Sequence, residues 1–441
     1  MRKIAIVSEH ASPQATPGSV DSGGQNIYVA NIAREFAGLG CQVDVFTRLD
    51  SPSQQAVVEW GNNIRIVHVP AGPACYVPKE ELMPFMDDFS RAMRHYFEAS
   101  DEPYDLIHAN FFMSAMAAMP LARDFDLPLV VTFHALGRVR RQYQVAADGF
   151  PDLRFEVEDR VVRQADCIIA ECPQDKEDLI TLYGADPARI SMVPCGFDHQ
   201  EMSPMEQQRA RTSVGWSEHP FYVLQLGRMV PRKGIDNVIQ ALSRLRGKHG
   251  VDARLCVVGG DIATERGQDR PELERLRDLA SHEGVADHVE FAGQRVRNQL
   301  KRYYCAADVF VTTPWYEPFG ITPVEAMACA TPVIGADTGG IRYTVVDGET
   351  GYLVPVRDPD ALARKLALLA NNIELARAMG QAGRQRANEL FTWKRVGQEL
   401  MAVFTSLCRD KRSKLVAHTT HPSSFAVLRN SRLDRNVFNE D

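Results

Sequence analysis

What this 441-residue chain lacks narrows its chemistry before any motif is read. There is no basic excess: 50 Lys and Arg against 57 Asp and Glu leave a net charge of −7, which argues against a nucleic-acid protein, whose phosphate contacts need a basic face. None of the nine cysteines is spaced as CxxC or CxxH, so they read as buried thiols in a reducing cytosol, a cytoplasmic setting. No apolar run reaches the length of a membrane span. The start, MRKIAIVSEHASP, carries too short an apolar stretch for a signal peptide and reads as a first strand. No repeat at solenoid spacing is present. His418 and His421 in the tail lack the further ligands a metal site needs.

What is present is alternation. Short Val- and Ile-rich runs at 3–8, 42–47, 64–69, 105–110, 127–134, 167–171 and 190–194 alternate with helix-like segments. A second series follows at 221–227, 253–260, 289–293, 309–314, 332–336 and 351–354. This is the pattern of parallel sheets built from βαβ units. Between the series, 197–217 is polar and without period, and the length suits two domains. The expected architecture is α/β: two doubly wound, Rossmann-like domains at 1–200 and 217–390, with ligands beyond the carboxyl ends of the strands. Residues 411–441 read as a flexible tail.

The most informative stretch is EPFGITPVEA, 317–326. Gly320 ends a strand-like run and opens a helix-like one, and such a junction offers backbone N–H groups and a positive helix end to a phosphate. Glu317 on the loop and Glu325 in the first helical turns place a carboxylate on each side, suited to hydroxyls flanking that phosphate. Two glutamates at a helix start are ordinarily a cap and a solvated charge. Upstream, QLGRMVPRKG puts Arg228 and Lys233 five apart in a loop before a helix, where a diphosphate would lie. Loop cations are also commonly just solvated.

The E-x7-E pattern around P-F-G, the R-x4-K-G spelling, GGQNIYV, HANFFMS, TFHALGRVR and AECPQDKEDLITLYGA together resemble the family-four retaining glycosyltransferases of the GT-B fold. The match covers nearly all of 1–405 and is nearest the branch of sucrose-phosphate synthase, sucrose synthase and the inositol-phosphate N-acetylglucosaminyltransferases. The resemblance implies two domains facing a cleft, with a last helix at 393–408 crossing back to the first, acceptor-binding domain. It implies that Glu317 and His134 meet the donor sugar, Glu325 the ribose, and Arg228 and Lys233 the leaving diphosphate. Gly23, Gly24, Val296, Phe319, Gly320 and Ile321 complete the implied donor site. Gly339 and Gly340 belong to a closing segment that supports the match without supplying chemistry.

For the acceptor, the inositol-phosphate branch uses an Asn, a Lys, a Tyr, a Thr and an Arg around a phosphate. Aligned by motif, Asn26, Lys79 and Arg154 are kept, while Phe111 stands at the Tyr position and Ala135 at the Thr position. A sugar phosphate is therefore one implied acceptor, with two hydroxyl donors missing. The DxD Asp358-Pro359-Asp360 reads as a helix cap, and no metal and no cofactor beyond the nucleotide-sugar co-substrate is expected. With no carboxylate left over as nucleophile, front-face transfer with retention is the implied mechanism, from a UDP-hexose such as UDP-glucose or UDP-N-acetylglucosamine. A sugar-nucleotide epimerase and a non-catalytic sugar-nucleotide binder are the competing readings. A homodimer and peripheral membrane contact stay open.

Overall fold

The computed structural model describes residues 1–14, 23–144, 148–260 and 270–419. The first sheet contains β1 (Lys3–Val7), β2 (Gln42–Arg48), β3 (Val57–Gly61), β4 (Ile64–Val69), β5 (Leu106–Asn110), β6 (Leu129–Thr132), β7 (Cys167–Ala170) and β8 (Ile190–Met192). Its order is β3-β4-β2-β1-β5-β6-β7-β8. The second contains β9 (Phe221–Leu226), β10 (Ala253–Val258), β11 (Val289–Gly293), β12 (Val309–Thr312), β13 (Val333–Ala336) and β14 (Gly351–Val354), in the order β11-β10-β9-β12-β13-β14. Every pairing is parallel except β3 with β4. Strands such as β1 and β5 are buried at every position, because helices cover both faces, and that is why they read as continuous apolar runs.

In each sheet the strand order reverses once, between β1 and β5 and between β9 and β12. At such a point the loops leave the strand ends in opposite directions and open a crevice. The glycine loop follows β1 and Phe111 follows β5; the Arg228–Lys233 loop follows β9 and the Glu317 loop follows β12. The loops of the four candidate motifs thus flank two switch points.

The chain passes between the domains twice, and the two passages pair. The Phe197 N–H donates to the Phe391 carbonyl at 2.8 Å, and the Trp393 N–H returns to the Phe197 carbonyl at 3.3 Å. A side chain at Gly196 would put its Cβ 2.9 Å from the Trp393 backbone nitrogen. Phe391 packs on Phe319 and Tyr343 in the second domain, while Trp393 meets Tyr28 in the first, so apolar packing runs unbroken across the junction. The last helix, Trp393–Thr419, then lies on the first domain, with Phe404 against Phe36 and His108.

Four features depart from the sequence reading. β3 was not foreseen: it alternates between exposed and half-buried and pairs with β4 alone. The segment between the two series holds a helix, Gln207–Val214, started by the Glu206 carboxylate and ended by left-handed Gly215. That helix is anchored to the second domain by Arg211, which donates to the Ala306 carbonyl at 3.0 Å and to Asp308 at 2.6 Å, rather than by an apolar stripe. The helix through Thr419 also takes in the first nine residues of the expected tail, while 420–441, with His421, lies outside the described residues. Finally, Cys75 is exposed and Cys408 half-buried, the other seven cysteines being buried, all with free thiols.

Candidate active site

The residues expected on the donor side come together where the loops after β9 and β12 meet. Gly234 sits at φ +68°, and a Cβ there would lie 2.0 Å from the Thr313 carbonyl oxygen, so only glycine lets the loops approach this closely. The Thr313 hydroxyl donates to the Gly234 carbonyl at 3.0 Å, and the Trp315 N–H donates to the Arg232 carbonyl at 2.9 Å. This contact brings Lys233 onto Glu317 as a half-buried ion pair. Burial lowers the Lys233 ammonium, Glu317 partly restores it, and Arg232 and Arg228 lower it again, leaving it below its ordinary value. Burial raises the Glu317 carboxyl, but Lys233, Arg232 and Arg228 outweigh that and hold it ionised below the usual carboxylate range. Arg232, its guanidinium 5.6 Å from the Tyr316 ring centre, is a third cation the sequence reading passed over, although it adjoins Lys233.

Gly339 and Gly340 fix the other side of this loop. A Cβ at Gly339 would fall 2.1 Å from the Glu317 carbonyl oxygen, and one at Gly340 2.4 Å from the Phe319 Cα. The Gly340 N–H donates to the Glu317 carbonyl at 2.9 Å. The pair therefore buttresses the Glu317–Phe319 backbone from behind. Phe319 itself points its ring into the core against Phe391, so any donor contact it makes is through backbone.

Gly320, at φ +95°, opens the helix Ile321–Ala328, whose first N–H groups have no partner inside the helix. Glu325 is buried, accepting from Arg297 at 2.8 Å and from the Tyr304 hydroxyl at 2.9 Å. Arg297 also pairs with Glu201. Neither partner was foreseen, since they lie 28 and 21 residues away with no local signal. A carboxylate offers about four lone-pair sites, so two remain for hydroxyls. Val296 precedes the helix carrying Arg297 and is exposed.

Facing these loops is the glycine loop. Gly24 comes within 3.4 Å of Ile321 Cδ1, measured from a Cβ placed on the glycine, so the two domains nearly touch beside the Gly320 turn. Asn26 accepts from the Gly23 N–H at 2.9 Å and donates to the Ser12 carbonyl at 2.9 Å. Its amide thus ties down the glycine loop, a use the acceptor reading did not anticipate. Gln25 donates to Ser8 Oγ and the Asn110 carbonyl, both at 3.1 Å, fastening the loop to β1 and β5.

Two non-glycine residues at adjacent strand ends, Phe111 after β5 and His134 after β6, hold φ of +88° and +57°. Such conformations cost about 1–3 kcal/mol each and concentrate where a site requires them. His134 is locked: Nδ1 lies 2.8 Å from Glu171, Nε2 3.0 Å from Asn110 Oδ1, and Tyr28 packs on its ring at 4.8 Å. Burial raises the Glu171 carboxyl, but His134 outweighs it and the group stays below its ordinary value. Glu171, unforeseen, is thus the orienting partner of His134. Both ring nitrogens of His134 are thus engaged within the protein.

The residues expected on the acceptor side separate. Arg154 is fully buried, 5.2 Å from the Phe111 ring centre. Lys79 sits half-buried in a short helical turn beside Glu80, at 3.8 Å. Between the domains, Tyr143 stacks on Tyr316 at 5.2 Å beside a cavity of about 200 Å³ that reaches Asp175 and Glu317. Among the described residues no group of three or more His, Cys, Asp or Glu is placed to hold a metal. Asp358 caps the helix Pro359–Ala370, its carboxylate accepting from the Ala361 N–H at 2.8 Å.

Two doubly wound domains with facing carboxyl edges, a cation–carboxylate pair at one switch point and a glycine loop at the other, define the GT-B class of glycosyltransferase. The description "Glycosyltransferase Family 4" matches residues 22–201 and "Glycosyl transferases group 1" matches 206–386. The D-inositol 3-phosphate glycosyltransferase of Kribbella flavida is 36% identical over 412 residues, 92% of this chain and 95% of that protein. That of Corynebacterium glutamicum is 32% identical over 407 residues, covering 91% and 96%. Among solved structures, sucrose-phosphate synthase from Thermosynechococcus elongatus superposes with a TM-score of 0.84 at 32% identity, over 92% of this chain and 99% of that one. Anabaena HepE in complex with UDP-glucose shares the fold, with a TM-score of 0.71 at 19% identity over 92% of this chain and 100% of that one. The chain belongs to the family-four glycosyltransferases, enzymes that move a sugar from a nucleotide sugar.

Proposed function

We propose that the chain transfers a hexose, with retention, from a UDP-hexose such as UDP-glucose or UDP-N-acetylglucosamine to an acceptor hydroxyl, without a metal ion. The observation that carries this reading is the Lys233–Glu317 pair beside the Gly320 helix start, flanked by Arg228 and Arg232 and faced by Gly24. Fixed cations and helix N–H groups of this kind stabilise charge developing on a departing diphosphate, about 3 kcal/mol each. Glu317 is held ionised and accepts from sugar hydroxyls rather than attacking carbon. The acceptor hydroxyl oxygen bonds to the anomeric carbon as the bond to the diphosphate breaks, and the departing phosphate oxygen takes the hydroxyl proton. Uridine as the base is supported by the UDP complexes of HepE, a likeness of fold alone.

An epimerase would interconvert the UDP-hexose without acceptor, and a binder would leave it unchanged. Proton NMR of a UDP-hexose panel incubated with enzyme and pooled polyols and sugars separates the three. The expected spectrum gains one new anomeric signal of the donor's own configuration. A product of opposite configuration, or a changed donor without acceptor, overturns the proposal.

A further inference from the structure

We infer that Tyr143 and Cys172 of the first domain are positioning residues for Glu317, setting that carboxylate in place from across the domain junction; this rests on the transferase reading above. Glu317 sits in a loop whose backbone the second domain holds from one side. The Trp315 N–H donates to the Arg232 carbonyl and the Gly340 N–H to the Glu317 carbonyl, both at 2.9 Å. The residues flanking Glu317 are gripped from the other side. Tyr316 is only 5% exposed, with the Tyr143 ring against it at 5.2 Å between centres and 21° between planes, while Tyr143 itself stays 42% exposed. Gln144 Nε2 also reaches the Tyr316 hydroxyl, at 3.4 Å. Beyond Glu317, the Cys172 thiol donates to the Pro318 carbonyl at 3.2 Å.

Local structure places both grips. Tyr143 lies in the last turn of the helix Gly137–Gln144, which follows His134 in the chain. Cys172 caps the helix Pro173–Tyr183, its sulfur accepting from the Asp175 N–H at 3.4 Å, and it adjoins Glu171, the partner of His134. The grips therefore spring from the connections that fix His134, so His134 and Glu317 are registered against each other although they lie in different domains. Charge does not draw the domains together here. Glu317 acts on Glu171 as a like charge and raises its carboxyl against the pull of His134. The stack and the thiol bond offset that repulsion. The cavity of about 200 Å³ lined by Tyr143, Tyr316, Glu317 and Pro318 leaves the loop room to shift once a grip is removed. An aromatic pair shifts an equilibrium by about 2- to 10-fold, whereas a reacting group misplaced by about 1 Å costs about 10²-fold in rate. Misplacement of Glu317 is thus the larger consequence of losing the ring.

Turnover of UDP-hexose and calorimetric binding of UDP are to be measured on full-length variants. In Tyr143→Ala, kcat/KM is expected to fall about 10- to 100-fold, with the Kd of UDP, which carries no sugar, within about twofold of wild type. Tyr143→Phe keeps the stacked ring and is expected to restore most of the loss. Cys172→Ala against Cys172→Ser, which keeps a hydroxyl donor, repeats the comparison at the second grip. A cycle with Glu317→Ala separates positioning from plain packing. Since Tyr143 acts through Glu317, Tyr143→Ala is expected to cost less than about twofold more in that background. A full-sized further loss there, wild-type turnover in Tyr143→Ala, or UDP binding lost in step with turnover overturns the inference. Failure of the transferase reading looks different: the wild type then releases no UDP with any acceptor, although UDP-hexose binds.

Discussion

Replacing Lys233 by Ala tests the donor site at its electrostatic centre. The ammonium exerts the largest effect of the three cations acting on Glu317 and, on the proposed reading, also meets the donor diphosphate. Losing one preorganised cation costs about 3–4 kcal/mol of transition-state stabilisation, a fall in kcat/KM on the order of 10²–10³-fold. A second effect follows from the burial of Glu317. In the intact protein burial raises this carboxyl and Lys233 is the largest opposing influence, so its removal lets the folded-state value climb. Glu317 must be ionised to accept from sugar hydroxyls. The acid limb of the kcat/KM profile therefore moves to higher pH in the variant. The alkaline limb of the wild type, set by an ammonium lowered through burial, should disappear with it. Steady-state UDP release over the pH range, with Glu317→Ala and the double variant alongside, reads all of this. The two losses should be strongly non-additive, because each residue holds the other. Turnover within a factor of two of wild type, or an unmoved acid limb, would refute the reasoning.

Gly340→Ala places a methyl against the Pro318–Phe319 backbone, with contacts of 2.4–2.6 Å that only a loop shift can relieve. The expected cost is about 1–3 kcal/mol, appearing as a 10- to 100-fold rise in KM for UDP-hexose with an unchanged circular-dichroism spectrum. An unchanged KM would remove the buttress from the account. Asp175 gives a stability prediction: burial first, then Glu171, raises its carboxyl to about 8. Since the unfolded state ionises near 3.8 and the folded state only near 8, Asp175 favours folding at low pH and withdraws that support as pH rises between the two values. The loss is at most about 1.4 kcal/mol per pH unit for one group. Urea denaturation from pH 6 to 8 should show the decline in wild type and a flatter line in Asp175→Asn, whose amide oxygen can still accept from the Glu171 N–H; parallel slopes would contradict it.

The sheets were legible because buried parallel strands cannot be disguised: each of the thirteen apolar runs read from the sequence coincides with a strand. β3 escaped because a half-exposed edge strand needs no such run. The helix Gln207–Val214 escaped because a buried arginine, rather than a stripe of apolar side chains, fixes it in place. At the site, loop positions were readable where glycine or charge is demanded locally, as at Gly234, Gly320, Lys233 and Glu317. What could not be read was pairing at a distance. The Arg297 and Tyr304 partners of Glu325 and the Glu171 support of His134 join elements separated in sequence, and only the fold brings them together. The bonds of Asn26 to the Gly23 N–H and the Ser12 carbonyl were likewise not readable from its place in the motif.

The most direct test of the central claim is acceptor-dependent release of nucleoside diphosphate from UDP-, GDP- and ADP-hexoses in the presence of EDTA. The account predicts release from a UDP-hexose that rises severalfold or more when pooled polyols and sugars are added and is untouched by the chelator. Release abolished by EDTA, or a rate indifferent to every acceptor while the donor still binds, would contradict it.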